Sequence, residues 1–223
     1  LNLEDAEQIC RAVSENGVFA QVGHCIRFWP AYQTLTEIFQ SGREGKLLGL
    51  ALQRRCARPP LGEMNWLNDP NRSGGAILDL HIHDSDYISS LLGMPPAVTT
   101  VGAKDRCGWS TIQTVYHYEN MGIGAVGGWT SPEKWEFQMA FHAEFEGATI
   151  EFDSRREPTL TITRDGEATG PLPYGVPIFE SSDSGLGNIS ALGGYHNELA
   201  YFIDCLERGE RPAIATPEQS KET

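Results

Sequence analysis

Ser73-Gly-Gly-Ala-Ile-Leu-Asp-Leu-His-Ile-His-Asp-Ser-Asp86 is the stretch on which both the fold and the chemistry of this chain turn. Read as a helix, it puts Asp79, His83 and Asp86 at i, i+4 and i+7, on one face. Ile77, Leu80, Ile88 and Leu91 fall on a different, apolar face. The run continues to Leu92-Gly93, long enough for a helix. Gly74 and Gly75 at its start would let a ligand or another backbone come close. A carboxylate one turn from an imidazole orients it and supports its protonated form, as a general base working near neutral pH requires. On spacing alone the pair is weak, because most such pairs are surface contacts.

The same residues also read as a strand. Leu78, Leu80 and Ile82 alternate with Asp79, His81 and His83. Asp-Leu-His-Ile-His-Asp then resembles the first metal motif of the polymerase-and-histidinol-phosphatase type of metallohydrolase, where a His-x-His pair at a strand end holds a divalent metal. In that type the motif opens a barrel near the N-terminus and further ligands follow. Here it lies a third of the way along, and His117, His142 and His196 form no comparable clusters. No metal site is expected.

Ahead of this stretch, Asn2 caps an expected helix from Leu3 to Glu15, with Glu4 and Asp5 in its first turn. Leu3, Ala6, Ile9, Cys10 and Val13 form its apolar stripe, and Asn16-Gly17 ends it. Val18 to Gly23 reads as a short buried strand. A helix feeding a buried strand is an α/β fragment, the last piece of a doubly wound domain. Leu1 is not an initiator methionine and the chain opens directly on a helix, so the rest of that domain is expected upstream. Trp29-Pro30 opens a second helix carrying Tyr32, Leu35, Ile38 and Phe39, which stops near Ser41-Gly42. Lys46 to Cys56 reads as a strand, and Arg58 to Arg72 as a long loop.

After residue 95 the pattern changes to short β-rich runs: 97–103, 111–118, 123–129, 135–145, 148–152 and 159–164. Turn pairs such as Glu119-Asn120 and Glu146-Gly147 separate them, which predicts an antiparallel meander. Gly170 to Gly194 is a second long loop, and Tyr195 to Arg208 a final amphipathic helix closed by Gly209. The fold class is α/β: residues 1–24 are expected to be the tail end of a truncated doubly wound (Rossmann) domain. Residues 25–223 are an α+β domain with a large, mostly antiparallel open sheet and flanking helices. The uncovered sheet face predicts a homo-oligomer, with Ile123, Val126, Trp129, Phe137 and Phe141 as candidate contacts.

Composition narrows the partners. Thirty acidic residues against 17 basic leave a net charge of -13 over 223 residues, a surface that repels phosphate backbones and excludes nucleic acid. No apolar run approaches a membrane span, and no signal peptide is visible. Five cysteines with no Cys-x-x-Cys read as reduced thiols in a cytoplasmic protein.

Several segments, in order along the chain, resemble the Gfo/Idh/MocA family, the glucose–fructose oxidoreductase and inositol dehydrogenase group. Val22-Gly-His-Cys-Ile-Arg-Phe-Trp-Pro-Ala-Tyr32 resembles the segment leaving the nucleotide domain. Ser41-Gly-Arg-Glu-Gly-Lys46 resembles the turn before the first strand of the second domain. Trp66 to Gly93 resembles the signature, with its Asp-Pro, Gly-Gly, Asp-x-x-x-His-x-x-Asp and closing Gly-x-Pro. Tyr195 to Pro212 resembles the last helix and the Gly-x-x-Pro after it. The resemblance implies an NAD- or NADP-dependent oxidoreductase acting on a hydroxyl of a sugar, polyol or related compound, or the reverse. It implies His83 as the general acid/base and Asp79 as the residue that orients and tunes it. Asp86, Arg27 and Trp66 are implied on the substrate side. The chain departs from the pattern at Ala76, His81 and Ser85, and His81 is expected to be a hydrogen-bonded supporting residue.

A dinucleotide needs a Gly-rich turn that opens a helix. Gly122-x-Gly124 lies in the meander and Gly185-x-Gly187 in a loop, so no cofactor-binding residue is expected in this chain. The nicotinamide cofactor falls to the upstream domain, with a catalytic lysine that the resemblance also puts upstream. This chain alone is expected to be inactive. A non-catalytic binding or assembly module of the same fold is the alternative, and after it a His-x-His metallohydrolase.

Overall fold

The computed structural model describes residues 2–58, 60, 66–130, 132–175 and 193–223. Helix α1 (Leu3–Asn16) begins where Asn2 Oδ1 accepts the Asp5 N–H at 2.9 Å and ends on Gly17 at φ 65. Its apolar stripe is not buried: Leu3 is 61% exposed and Ile9 56%. The strand expected over Val18 to Gly23 is not formed. A strand is made by a ladder of backbone partners, whereas among the described residues this segment makes only Val22 N–H to Ala215 C=O at 2.8 Å and His24 N–H to Val22 C=O at 2.7 Å. Helix α2 (Pro30–Ser41) starts on Pro30 and stops at Gly42, φ 65.

Strand β1 (Leu47–Ala57) lies inside an eight-stranded sheet. The others are β2 (Ala97–Asp105), β3 (Gly108–Tyr118), β4 (Met121–Thr130), β5 (Gln138–Phe145), β6 (Ala148–Asp153), β7 (Leu160–Arg164) and β8 (Gly170–Pro171). Their order is β2-β3-β4-β1-β5-β6-β7-β8. Among the described residues, only β1 and β4 pair in parallel; the other pairs are antiparallel. The short strands and tight turns after residue 95 thus form the expected meander, and β1 is inserted into it from earlier in the chain.

Between β1 and β2 lie α3 (Pro70–Ser73), a π-helical turn (Ile77–His81) and α4 (Ile82–Leu92). Residues 77–83 are therefore helical, and the strand on which the metal reading rests is not there. The π turn is defined by the Ile82 N–H reaching back five residues to the Ile77 carbonyl. Gly75, at φ 70, sits against β3: a Cβ there would lie 2.9 Å from the Trp109 carbonyl oxygen. The expected close approach at the glycine pair is thus to another backbone. Helices α5 (Gly194–Arg208) and α6 (Pro217–Glu222) follow the sheet, and α6 packs on α1. The expected loop Gly170–Gly194 lies, over residues 176–192, outside the described residues, as do residues 61–65 of the earlier loop. No described helix is long and apolar enough to cross a membrane.

One sheet face carries the core. Leu50 and Leu52 of β1, Phe141 of β5 and Phe152 of β6 pack with Tyr32 and Leu35 of α2 and Tyr87 and Ile88 of α4. The opposite face is open, and the residues expected to fill it need correction. Ile123, Trp129 and Phe141 are only 2%, 2% and 3% exposed, because they point inward. Side chains alternate along a strand, so the outward phase of β4 is Gly122, Gly124, Val126 and Gly128. Of the strand candidates, only Val126 lies there. Phe137 precedes β5 and packs against the core. The open face holds a concavity of about 660 Å³ lined by Gln53, Gln138, His142, Glu151, Asp153 and Arg156, among others.

Candidate active site

The π turn and α4 deliver five polar side chains to the helix-covered side of the sheet: Asp79, His81, His83, Asp84 and Asp86. His83 is part-buried. Its ring meets the ring of His24 edge-on, with centroids 6.3 Å apart and planes at 86°. Its Nδ1 is buried without a hydrogen-bond partner. Burial first, then the Arg54 guanidinium and His24, pushes its pKa down to about 3, so the imidazole is neutral at neutral pH.

Asp79 does not meet His83 as the spacing suggests. Its Oδ2 instead accepts the Trp129 Nε1–H at 2.9 Å. Burial raises its pKa, opposed by that bond. The cause is the π turn: its wider winding rotates Asp79 away from the i, i+4 register of an α-helix and toward β4. Asp79 therefore does not favour the charged form of His83.

Asp86 is fully buried and occupied by its own chain. Arg27 Nε donates to Oδ2 at 2.8 Å and Arg27 Nη2 to Oδ1 at 2.6 Å. His24 Nε2 lies 3.5 Å from Oδ1, and Thr223 Oγ1 donates to it at 3.4 Å. A carboxylate has about four lone-pair sites, so little of Asp86 remains for a ligand. Arg27 also donates to Gln219 Oε1 at 2.8 Å. Two of the three residues expected on the substrate side, Arg27 and Asp86, are thus brought together, on each other. Trp66 is 49% exposed, in a 3₁₀ turn (Trp66–Asn68). His81 is buried, with Nε2 2.8 Å from Thr114 Oγ1, as expected of a supporting histidine.

Three features were not read from the sequence. The first is an ion pair in the core: Arg54 of β1 donates through Nη2 to Asp84 Oδ1 at 2.8 Å, the residues 2% and 0% exposed. Its signal was present, since Arg54 continues the inward phase of Leu50 and Leu52. The second is His24, in the segment quoted for its resemblance, 5% exposed and with Nδ1 unpartnered. The third is Glu198 of α5, which burial pushes up to about 7 against the opposing hydrogen bond from Gln21. Asn197 Nδ2 ties α5 to the Phe28 carbonyl at 3.1 Å, beside the 3₁₀ turn Cys25–Phe28.

Buried polar atoms are normally hydrogen-bonded. Here His24 Nδ1, His83 Nδ1, Gln21 Oε1 and Glu198 Oε1 are buried with no partner among the described residues. They lie on three elements, the segment before Cys25, α4 and α5, which meet around the 3₁₀ turn. That arrangement suits a bound molecule rich in hydroxyls together with a neutral imidazole that can take up a proton. None of the described helices opens on a Gly-x-Gly-x-x-Gly turn.

Residues 32–156 match the profile of the GFO/IDH/MocA C-terminal domain. The chain is 26% identical over 215 residues to 1,5-anhydro-D-fructose reductase of Ensifer adhaerens, across 86% of this chain and 62% of that protein. It is 24% identical over 225 residues to scyllo-inositol 2-dehydrogenase (NAD(+)) of Bacillus subtilis (strain 168), across 96% of this chain and 60% of that protein. The chain spans about three fifths of the length of these curated relatives. Among solved structures, levoglucosan dehydrogenase in complex with NADH and levoglucosan matches with a TM-score of 0.78 at 15% identity, over 99% of this chain and 65% of that one. An oxidoreductase from Agrobacterium radiobacter in complex with NAD+, L-tartaric acid and magnesium matches with a TM-score of 0.77 at 14% identity, over 99% and 64%. At such identities the structural matches speak for the fold.

Proposed function

The chain belongs to the GFO/IDH/MocA family through its C-terminal domain, and from that premise we propose that it is the substrate-handling part of a nicotinamide-dependent oxidoreductase. The substrate is a sugar, polyol or related compound, and the reacting group is a hydroxyl or the carbonyl formed from it. The named relatives support this class: a reductase of an anhydro sugar and an inositol dehydrogenase. NAD or NADP is held by a separate dinucleotide-binding domain, of which residues 1–24 are the tail. The exposed Leu3 and Ile9 of α1 and the strandless segment after it fit a part that packs against more protein.

The observation that carries the mechanism is the neutral, part-buried His83 with its unpartnered Nδ1. His83 receives the hydroxyl proton in oxidation and returns it in reduction, while the cofactor, when bound, exchanges hydride with the same carbon. The imidazole is neutral over the ordinary pH range and so has a lone pair free, but burial makes it a weak base, so it takes up the proton only as hydride leaves the same carbon. Asp79, oriented by Trp129, offers its remaining oxygen to a neighbouring substrate hydroxyl. Arg27 and Asp86 act on the substrate at one remove, by fixing the walls of the site, and Trp66 borders it. The open sheet face, centred on Val126, pairs two copies; light scattering on the Val126→Lys variant is expected to read a smaller mass than wild type.

The reading is tested by screening the intact protein against sugars, inositols and sugar acids with NAD and with NADP. Cofactor reduction with at least one class of polyol is expected. Tight cofactor binding with no turnover across all classes would favour a non-catalytic module instead. Calorimetry on residues 1–223 alone is expected to show no micromolar binding of either cofactor, since the pyrophosphate needs backbone N–H groups at a helix N-terminus.

A further inference from the structure

Among the described residues, none hydrogen-bonds the His83 ring. Its expected partner Asp79 is held by Trp129, and its Nδ1 has no partner among the described residues. A proton-transfer group nonetheless needs a fixed direction, because reacting atoms must meet within a few tenths of an ångström. Some other contact must supply that restraint.

His24 is placed to do so. Its backbone is tied at both ends, the N–H donating to the Val22 carbonyl at 2.7 Å and the carbonyl accepting from the Arg27 N–H at 3.2 Å. Its ring is nearly inaccessible, 5% exposed. Nε2 lies 3.5 Å from Asp86 Oδ1, and Asp86 is itself gripped by both Arg27 donors. Asp86 and His83 are three residues apart on α4 and so stand on adjacent turns of one side. His24 therefore touches α4 twice, through a carboxylate at one position and through the edge of the His83 ring one turn away. The ring contact, 6.3 Å between centroids at 86°, falls in the edge-to-face range of packed aromatic pairs.

We infer that His24 is a positioning residue for His83: anchored on the Asp86–Arg27 pair, its ring sets the orientation of the imidazole that handles the proton. The inference rests on the reading of His83 as that group. It also gives Arg27 and Asp86 a role their burial permits, as the base on which His24 stands.

Two variants separate the ring from its nitrogens. His24→Asn loses the ring and keeps a polar group for Asp86. His24→Phe keeps a flat ring and loses both nitrogens. In the intact enzyme, His24→Asn is expected to lower kcat about 10- to 100-fold with KM nearly unchanged, and His24→Phe to recover most of that loss. Normal turnover of His24→Asn, or a His24→Phe enzyme as slow as His24→Asn, would overturn the inference. A second measurement does not depend on activity. In proton NMR of residues 1–223, wild type and His24→Phe should each give one sharp set of His83 ring signals, and His24→Asn a broadened or doubled set. Sharp single signals in His24→Asn would equally overturn it. Should the intact wild-type protein turn over no polyol at all, the functional reading fails, and the NMR comparison still decides whether His24 orients His83.

Discussion

The two faces of the sheet are made by the same strands and differ only in which phase of residues they show. On the helix-covered face, charges are buried and paired: Arg54 with Asp84, and Arg27 with Asp86, the acidic side chains at 0% exposure. On the open face the charged contacts stand in solvent. His142 lies 3.1 Å from Glu144 and 3.4 Å from Glu151, with side chains 44%, 57% and 45% exposed. Gly, Ala and Thr fill much of the rest. Desolvating an ion pair costs several kcal/mol per ion and is offset only by good geometry, whereas exposed pairs contribute about 0–1 kcal/mol. Costly pairs gather where α4 carries His83, and inexpensive ones lie on the other side.

The sharpest way to break that contrast is to remove one partner on each face. Arg54→Met leaves Asp84 buried without its counter-charge and is expected to cost about 3–5 kcal/mol in urea unfolding. The joint variant Arg54→Met/Asp84→Leu should recover most of the loss, since an apolar pair needs no desolvation. His142→Ala on the open face should stay within about 0.5 kcal/mol of wild type. Equal effects at the two sites would dissolve the distinction.

A backbone contrast is expected to be smaller. Gly75→Ala sets a methyl 2.9 Å from the Trp109 carbonyl oxygen at φ 70, and should destabilise by more than about 1 kcal/mol. Gly170→Ala, on the edge strand β8 with nothing within 4 Å of the added carbon, should be close to neutral. Thermal melts of the two would separate a glycine pressed against another backbone from one on a free edge.

The pH contrast comes last in size. Glu198 is raised from 4.5 to about 7 by burial. The folded chain therefore holds a proton that the unfolded chain releases between those values. The stability contributed by this group is fully present below pH 4.5 and is lost as pH rises through about 7. Glu198→Gln should flatten that part of the stability profile, read as melting temperature against pH. An unchanged profile would mean that Glu198 is solvated.

Local signals in the sequence carried most of the fold. Asn2, Gly17, Pro30 and Gly42 mark helix ends through rules that act over a few residues, and turn pairs divide the meander in the same way. The segment from Gly74 to Leu92 was legible as helical. The π turn within it was not, because its wider winding has no local composition signal, and this is what separates Asp79 from His83. The outward phase of the sheet is set by alternation, and hydrophobicity alone points instead to Ile123, Trp129 and Phe141, which face inward. The pairs that build the site join residues far apart in sequence, Arg27 with Asp86 at 59 positions and Arg54 with Asp84 at 30. No local rule joins them, and His24 gains its meaning only once Asp86 and His83 stand beside it.

We propose that the covered face holds a proton-handling His83. It is tested most directly by His83→Ala in the intact enzyme, with turnover, cofactor affinity and melting temperature measured on one preparation. The expected result is a fall in kcat of about 10²–10⁴-fold, with cofactor affinity and melting temperature close to wild type. A folded His83→Ala enzyme that turns over at a near-normal rate would contradict the claim.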